Sequence, residues 1–308
     1  MEAKPGAIFM AMPSYDGKGE IQSAWMFFNC ATRNLQNRLI FGNQCGSLLG
    51  LTFNSLLCVA LNTPEVSDFV MLHADIIPEP GWLDILWEER EKAGADVISA
   101  VVPIKDLRGL TSTGLDDPKD PFNVLGRITT SEAKRLPETF DQRNTRFPRN
   151  GLLINTGCWL AKIETLRKWV DEYRGAFTIR DRIVRRPDGK YVAQVAPEDW
   201  NFSRDLARIG AKVVATQAVK LKHVGRFEFD SGDHWGPEFD TVYGEKFGSK
   251  SLIEEKENGH QTHEPNPYRG PSFVAAPSQV PAGKGPGKPG CDPDRAGDGP
   301  AKQVENAA

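Results

Sequence analysis

The sequence predicts an α/β fold over residues 1–249, followed by a disordered tail over residues 250–308. Strand-patterned and helix-patterned segments alternate through the first part, the rhythm of an α/β sheet. Short apolar runs such as Phe69–Leu72 read as buried strands. The composition then breaks near residue 250, and the tail carries runs such as Pro-Ala-Gly-Lys-Gly-Pro-Gly-Lys-Pro-Gly. A segment of that kind buries too little apolar surface to offset the entropy of ordering it.

Each element has a local reason. Ala7–Met12 is apolar and ends at the turn signal Pro13-Ser14-Tyr15-Asp16-Gly17, so it reads as the first strand. A mixed apolar helix is expected from about Glu20 to Asn37, and a second where Leu49, Phe53, Leu56, Leu57 and Ala60 fall at helical spacing. Asp68–Asp75 reads as a buried strand ending in polar residues. Pro78–Gly94 reads as a helix with Trp82, Leu83, Leu86 and Trp87 on its buried stripe, and Ala95–Ile104 as a further strand. Residues 105–150 are rich in charge, proline and glycine, which predicts short strands and long loops. Leu152–Lys162 is expected as strand, Glu164–Tyr173 and Pro197–Ile209 as helices, and Lys212–Thr216 as strand. In such sheets ligands bind beyond the carboxyl ends of the strands.

Bulk properties exclude several classes. The 308 residues carry a net charge of only -3, which argues against a nucleic-acid groove or an anionic membrane surface. A basic patch assembled only by folding would escape that count. Five scattered cysteines, Cys30, Cys45, Cys58, Cys158 and Cys291, form no CxxC pair, which argues against a disulfide framework and a structural zinc site. The N-terminus lacks the basic flank and long apolar core of a signal peptide. No run approaches the ~20 apolar residues that span a bilayer. A soluble, cytoplasmic protein is expected.

Three polar clusters stand at strand or helix ends. The first is His73-Ala74-Asp75. If the strand continues through it, its alternation points His73 and Asp75 to the same side, as half of a divalent-cation site. The plainer alternative is an Asp opening the loop before Pro78. The second is Glu198-Asp199, where acids suit a helix N-terminus. Asp199, Phe202, Leu206 and Ile209 share one stripe, so Asp199 faces inward and needs a partner, while Glu198 points elsewhere as a helix-start acid. The third is His223, beside Gly225 and just after a strand; a lone histidine is more often an ordinary surface or core residue.

In this order the clusters resemble the GT-A glycosyltransferases, a Rossmann-like mixed sheet flanked by helices, particularly small phage and bacterial members related to the family-two enzymes. The resemblance runs over about residues 7–230. It rests on the Pro13-Ser14-Tyr15 turn, on Asn54 in its helix, and on the DxD-like His73-Ala74-Asp75-Ile76-Ile77-Pro78. It continues with the Thr156-Gly157 strand, Glu198-Asp199, and the closing His223-Val224-Gly225. Two positions depart from the pattern: His73 stands where the family has its first acid, and Phe53 where it has an Arg before Asn54.

The resemblance implies roles. Pro13, Ser14, Tyr15, Asn54, His73, Asp75, Thr156 and Gly157 would bind a nucleotide-sugar donor. Asp75 and His223, with His73, would hold a divalent cation, manganese in preference to magnesium because the set includes imidazole. Asp199 would be the general base on an acceptor hydroxyl, with inversion. The alternative function is a GT-A module that binds a nucleotide or glycan without turning it over. A sugar-nucleotide pyrophosphorylase would need a Gly-rich phosphate loop after the first strand, and a dinucleotide-binding enzyme a GxGxxG; neither is present. Phe227–Trp235, with Asp233 and His234, reads equally as an acceptor-side lid or as ordinary packing.

Overall fold

The computed structural model describes residues 6–30, 38–225 and 228–232. The chain divides into the units Met1–Ile253 and Glu254–Ala308, and the second lies wholly outside the described residues, as does the expected tail. Residues 31–37 and part of the expected lid, Phe227 and 233–235, also lie outside them.

The elements follow the alternation expected of an α/β chain. The first are β1 (Ala7–Ser14), α1 (Ile21–Phe28), β2 (Leu39–Cys45), α2 (Leu49–Leu61), β3 (Val66–Leu72), β4 (Ile76–Pro78), α3 (Trp82–Ala93) and β5 (Val97–Ala100). A middle stretch adds β6 (Leu110–Asp116), β7 (Val124–Thr129), α4 (Thr130–Ala133), β8 (Thr139–Phe140) and β9 (Leu152–Leu153). Next come β10 (Cys158–Lys162), α5 (Ile163–Tyr173), β11 (Arg180–Arg185) and β12 (Tyr191–Ala196). The described chain closes with α6 (Glu198–Arg208), β13 (Val213–Thr216), β14 (Leu221–Val224) and β15 (Glu228–Asp230).

The main sheet has seven strands in the order β2-β1-β3-β10-β5-β13-β8. It is mixed: β1 pairs in parallel with β2 and β3, and β5 with β13, while β10 runs antiparallel between β3 and β5. Alternate residues of each central strand feed opposite cores. Phe9, Phe69, Met71 and Trp159 pack with Phe53, Leu166 and Phe202 from α2, α5 and α6. Ile8, Met10, Val70 and Leu160 pack on the other side with Phe27 of α1 and Trp82 of α3. Helices therefore cover both faces, which is why these strands read as continuous apolar runs.

The boundaries differ from the sequence expectation where tertiary pairing decides them. The first helix covers only Ile21–Phe28, and Leu39–Cys45 forms an edge strand whose mostly exposed residues give no buried-strand signal. The helix expected from Pro78 begins at Trp82, because Pro78 pairs with Leu221 and Gly81 takes a left-handed φ of 79°. The strand expected over Leu152–Lys162 is interrupted by Asn155-Thr156-Gly157. Its first part joins β6 and its second part the main sheet.

The floor of the first core is aromatic. Phe177 lies 5.6 Å from Phe53, 5.2 Å from Trp169 and 5.0 Å from Phe202, centroid to centroid. Asn54 fixes it: the Phe177 N–H donates to Asn54 Oδ1 at 2.8 Å, and Asn54 Nδ2 donates to the Phe177 carbonyl at 3.1 Å. Replacing Asn54 with Ala removes both bonds, so unfolding in urea should reveal a loss of about 1–2 kcal/mol. Trp159→Ala, which empties a fully buried site, should cost about 3–5 kcal/mol in the same measurement.

Candidate functional site

The chain leaves β1 for β2 on one side and then crosses to β3 on the other. A crevice opens at such a reversal, beyond the carboxyl ends of the two strands. A cleft of about 480 Å³ lies there, lined among others by Pro13, Ser14, Tyr15, Asp16, His73 and Asp75. The Tyr15 ring is 61% exposed, free to pack on a planar ligand. The expected residues of the first turn and of His73-Ala74-Asp75 thus share one cavity.

They do not share it in the way strand alternation predicted. β3 ends at Leu72, and the next three residues leave the strand, so His73 and Asp75 are not paired on one strand face. His73 N–H donates to the Gly157 carbonyl at 2.8 Å, and its ring lies 5.1 Å from that of Phe53. Its Nε2 is buried without a hydrogen-bond partner. Burial depresses its pKa to about 4 against the pull of Asp75, so the ring is neutral at pH 7. A Cβ at Gly157 would lie 2.4 Å from Ile76 Cδ1, so only glycine lets the start of β10 approach this turn.

Asp75 faces the Lys105 ammonium and the His223 imidazole. Its Oδ2 is 2.5 Å from Lys105 Nζ and 3.6 Å from His223 Nε2. Burial alone would raise its carboxyl, but His223 and Lys105 outweigh that and hold it well below the usual carboxylate range. The backbone makes the meeting possible. β4 directly follows Asp75 and pairs antiparallel with β14, setting Ile76 opposite His223, while Val224 N–H donates to the Asp75 carbonyl at 2.8 Å. His223 Nδ1 lies 2.7 Å from the Pro103 carbonyl. A carbonyl only accepts, so Nδ1 carries a proton, and this bond holds the ring with Nε2 toward Asp75.

Among the described residues no group of three or more His, Cys, Asp or Glu side chains is gathered around a point that would hold a metal ion. Asp75 Oδ2 and His223 Nε2 nevertheless suit a shared divalent cation, since two bonds of roughly 2.1 Å span the gap between them. The oriented imidazole is the arrangement such ligands use.

Asp199 is buried in the first turn of α6, as its helical stripe predicted. Its carboxylate accepts the Trp200 N–H at 2.8 Å. Burial, with Glu198 adding to it, raises the carboxyl to about 7, opposed by Arg127 and by a hydrogen bond from Asn155. Glu198 is the first residue of α6, the helix-start acid expected; it is half-buried, and burial raises it as well. The first turn of α6 is tied to the segment before β10. Ile154 N–H donates to Ser203 Oγ at 3.0 Å, and that hydroxyl donates to the Asp199 carbonyl at 2.7 Å.

Asn155 links the two ends of the site. It reaches Asp199 with its side chain, while its Oδ1 accepts the Gly157 N–H at 2.7 Å, next to the carbonyl that holds His73. Thr156 between them is buried. Asn54 lies apart, its amide engaged with Phe177. Sequence reasoning passed over Lys105, Asn155 and Arg127 as site residues. The usable signal was position: Lys105 directly follows the Ala95–Ile104 run, and Asn155 opens the Asn-Thr-Gly turn.

No family model matches the sequence, and no curated protein matches it. Among solved structures, the chain is similar to A197 from STIV, at 15% identity and a TM-score of 0.42, over 76% of this chain and 99% of that one. It is also similar to S. aureus TarS 1-349, at 11% identity and a TM-score of 0.36, over 68% and 58%. Likeness of that degree leaves the chemistry to be read from this chain's own residues.

The raised Asp199 carboxyl makes a stability prediction. Its protonated form is favoured in the fold, so its contribution is complete below the ordinary pKa of ~4 and is lost as pH rises through about 7. Asp199→Asn removes that loss. Thermal melts should coincide at pH 4, and at pH 8 the variant should be more stable by about 1–4 kcal/mol. Equal melts at pH 8 would contradict a buried, strained carboxylate.

Proposed function

We propose that this protein is a divalent-cation-dependent glycosyltransferase, moving a sugar from a nucleotide-sugar donor to an acceptor hydroxyl. The observation that carries the reading is the pairing of opposites at one rim of the sheet. One carboxylate, Asp75, is kept ionised beside His223 and Lys105, and a second, Asp199, is buried and raised into the range of a working base. The cleft between β1 and β3 is of a size to take a nucleotide, with Tyr15 for the base and the Pro13-Ser14 backbone beside it.

Asp75 and His223 would hold the cation, manganese in preference to magnesium because an imidazole takes part. That ion, when bound, would offset charge developing on the leaving diphosphate. Lys105 adds a second positive charge on the same side. Neutral His73 offers its buried Nε2 to a ribose hydroxyl or to the cation. Asp199 takes the proton of the attacking hydroxyl as its oxygen bonds to the sugar carbon and the diphosphate departs from the opposite face. Direct displacement of this kind inverts the configuration.

One observation favours a second reading, a module that binds a nucleotide or glycan without turnover. An imidazole stands at 73 where the resemblance calls for an acid.

The deciding assay incubates the purified chain with manganese and a panel of nucleotide sugars, reading free nucleoside diphosphate. Chelator-sensitive release from one donor, lost in Asp75→Ala and reduced at least ~100-fold in Asp199→Ala, is the expected result. Its rate should climb with pH to a plateau above about 7, as Asp199 ionises. Manganese-dependent binding of the diphosphate with no release from any donor or acceptor would favour the module. Absence of both would end the reading.

A further inference from the structure

Strands β11 and β12 form a two-stranded sheet of their own, separate from the main sheet. An ordinary surface hairpin turns its apolar side inward and its polar side to water. This one does so only in part, since it also turns a guanidinium inward and leaves apolar side chains in water. Its inner face carries Arg180, Arg182 and Gln194 beside Val184, Val192 and Ala196. Arg182 donates to Asp120 at 2.7 and 2.8 Å and to Gln194 at 2.8 Å, with its guanidinium 4.2 Å from the Phe122 ring centre. Arg180 donates to Asn201 of α6 at 2.7 Å.

The outer face pairs Asp181 with Val195, Ile183 with Ala193, and Arg185 with Tyr191. Ile183 is 75% exposed and Tyr191 72%. Ile179, just before the hairpin, is exposed as well. At the tip, Arg185, Arg186 and Lys190 are all exposed. The acid among them, Asp188, is engaged in the turn, where it accepts the Lys190 N–H at 3.0 Å. Asp181, toward the base of the hairpin, is the one acid on the outer face.

We propose that this hairpin is a peripheral docking surface for an anionic lipid bilayer. Charge complementarity selects the occupant. A narrow ridge of Ile183 and Tyr191 flanked by three basic side chains is the pattern of shallow interfacial insertion, in which apolar groups enter the headgroup boundary and Lys or Arg meet anionic lipid. A ridge of this kind suits a compliant surface. The chain's net charge of -3 hides the patch, because acids outnumber bases in the rest of the sequence. One residue, Pro197, separates β12 from α6, so docking would hold the Asp199 end of the site near the membrane surface. The inference stands on the hairpin and does not require the catalytic reading.

The test is co-sedimentation of the full chain with vesicles of phosphatidylcholine, with and without phosphatidylglycerol. Binding should appear only with phosphatidylglycerol and weaken as salt is raised. Ile183→Asp with Tyr191→Asp, and separately Arg185→Glu with Arg186→Glu, should each weaken it at least about tenfold. All four positions are exposed, so unchanged thermal melts will confirm that both variants remain folded. No binding of the unmodified chain to phosphatidylglycerol vesicles overturns the proposal, as does binding that both variants retain. Self-association without vesicle binding, lost in the Ile183→Asp variant, would overturn it in favour of a second copy of this chain.

Discussion

The rim of the sheet depends on one reversal: β10 runs antiparallel between β3 and β5. Parallel neighbours would send the segment before β10 to the opposite edge. Because β10 runs backward, Asn155-Thr156-Gly157 arrives where β1, β3 and β5 end. From there it holds His73 through the Gly157 carbonyl and Asp199 through the Asn155 side chain. Trp159 anchors the reversal in the core, its ring 5.3 Å from Phe69 and 5.1 Å from Phe202. The aromatic floor thus connects the strand that ends just before His73 with the helix whose first turn holds Asp199.

On that frame the protein drives two carboxyls in opposite directions. Asp75 is half-exposed beside an ammonium and an imidazole, which favour its charge more than partial burial opposes it. Asp199 is withdrawn from water, and neither Arg127 nor the Asn155 amide fully offsets the desolvation. Environments that separate two acids in this way let one hold positive charge while the other accepts a proton. The same burial makes the ionised form of Asp199 a liability to stability.

The hairpin of β11 and β12 follows a different rule from the body it joins. In the central strands of the main sheet, apolar side chains alternate between two covered cores. In the hairpin the guanidinium of Arg182 faces inward and Ile183 faces water. The inward arginine is tolerated because Asp120, Gln194 and the Phe122 ring satisfy it. Among the described residues Ile183 and Tyr191 stay largely exposed, which is what marks the ridge as a contact surface.

The sequence by itself determined the α/β class and placed β1, α2, α5 and α6 within a few residues. Their apolar spacing records which face is buried, and periodicity is a local property. The inward turn of Asp199 was legible for the same reason, since it continues the stripe of Phe202 and Leu206. Tertiary structure alone decided what meets what. Strand alternation could not reveal that β3 stops at Leu72, that β14 pairs with β4 and carries His223 to Asp75, or that Lys105 reaches the same carboxylate. Edge strand β2 and the hairpin of β11 and β12 escaped notice because their exposed residues mimic loops. Pairing between segments far apart in the chain leaves no periodic trace in either one, so the site's geometry exists only once the sheet has formed.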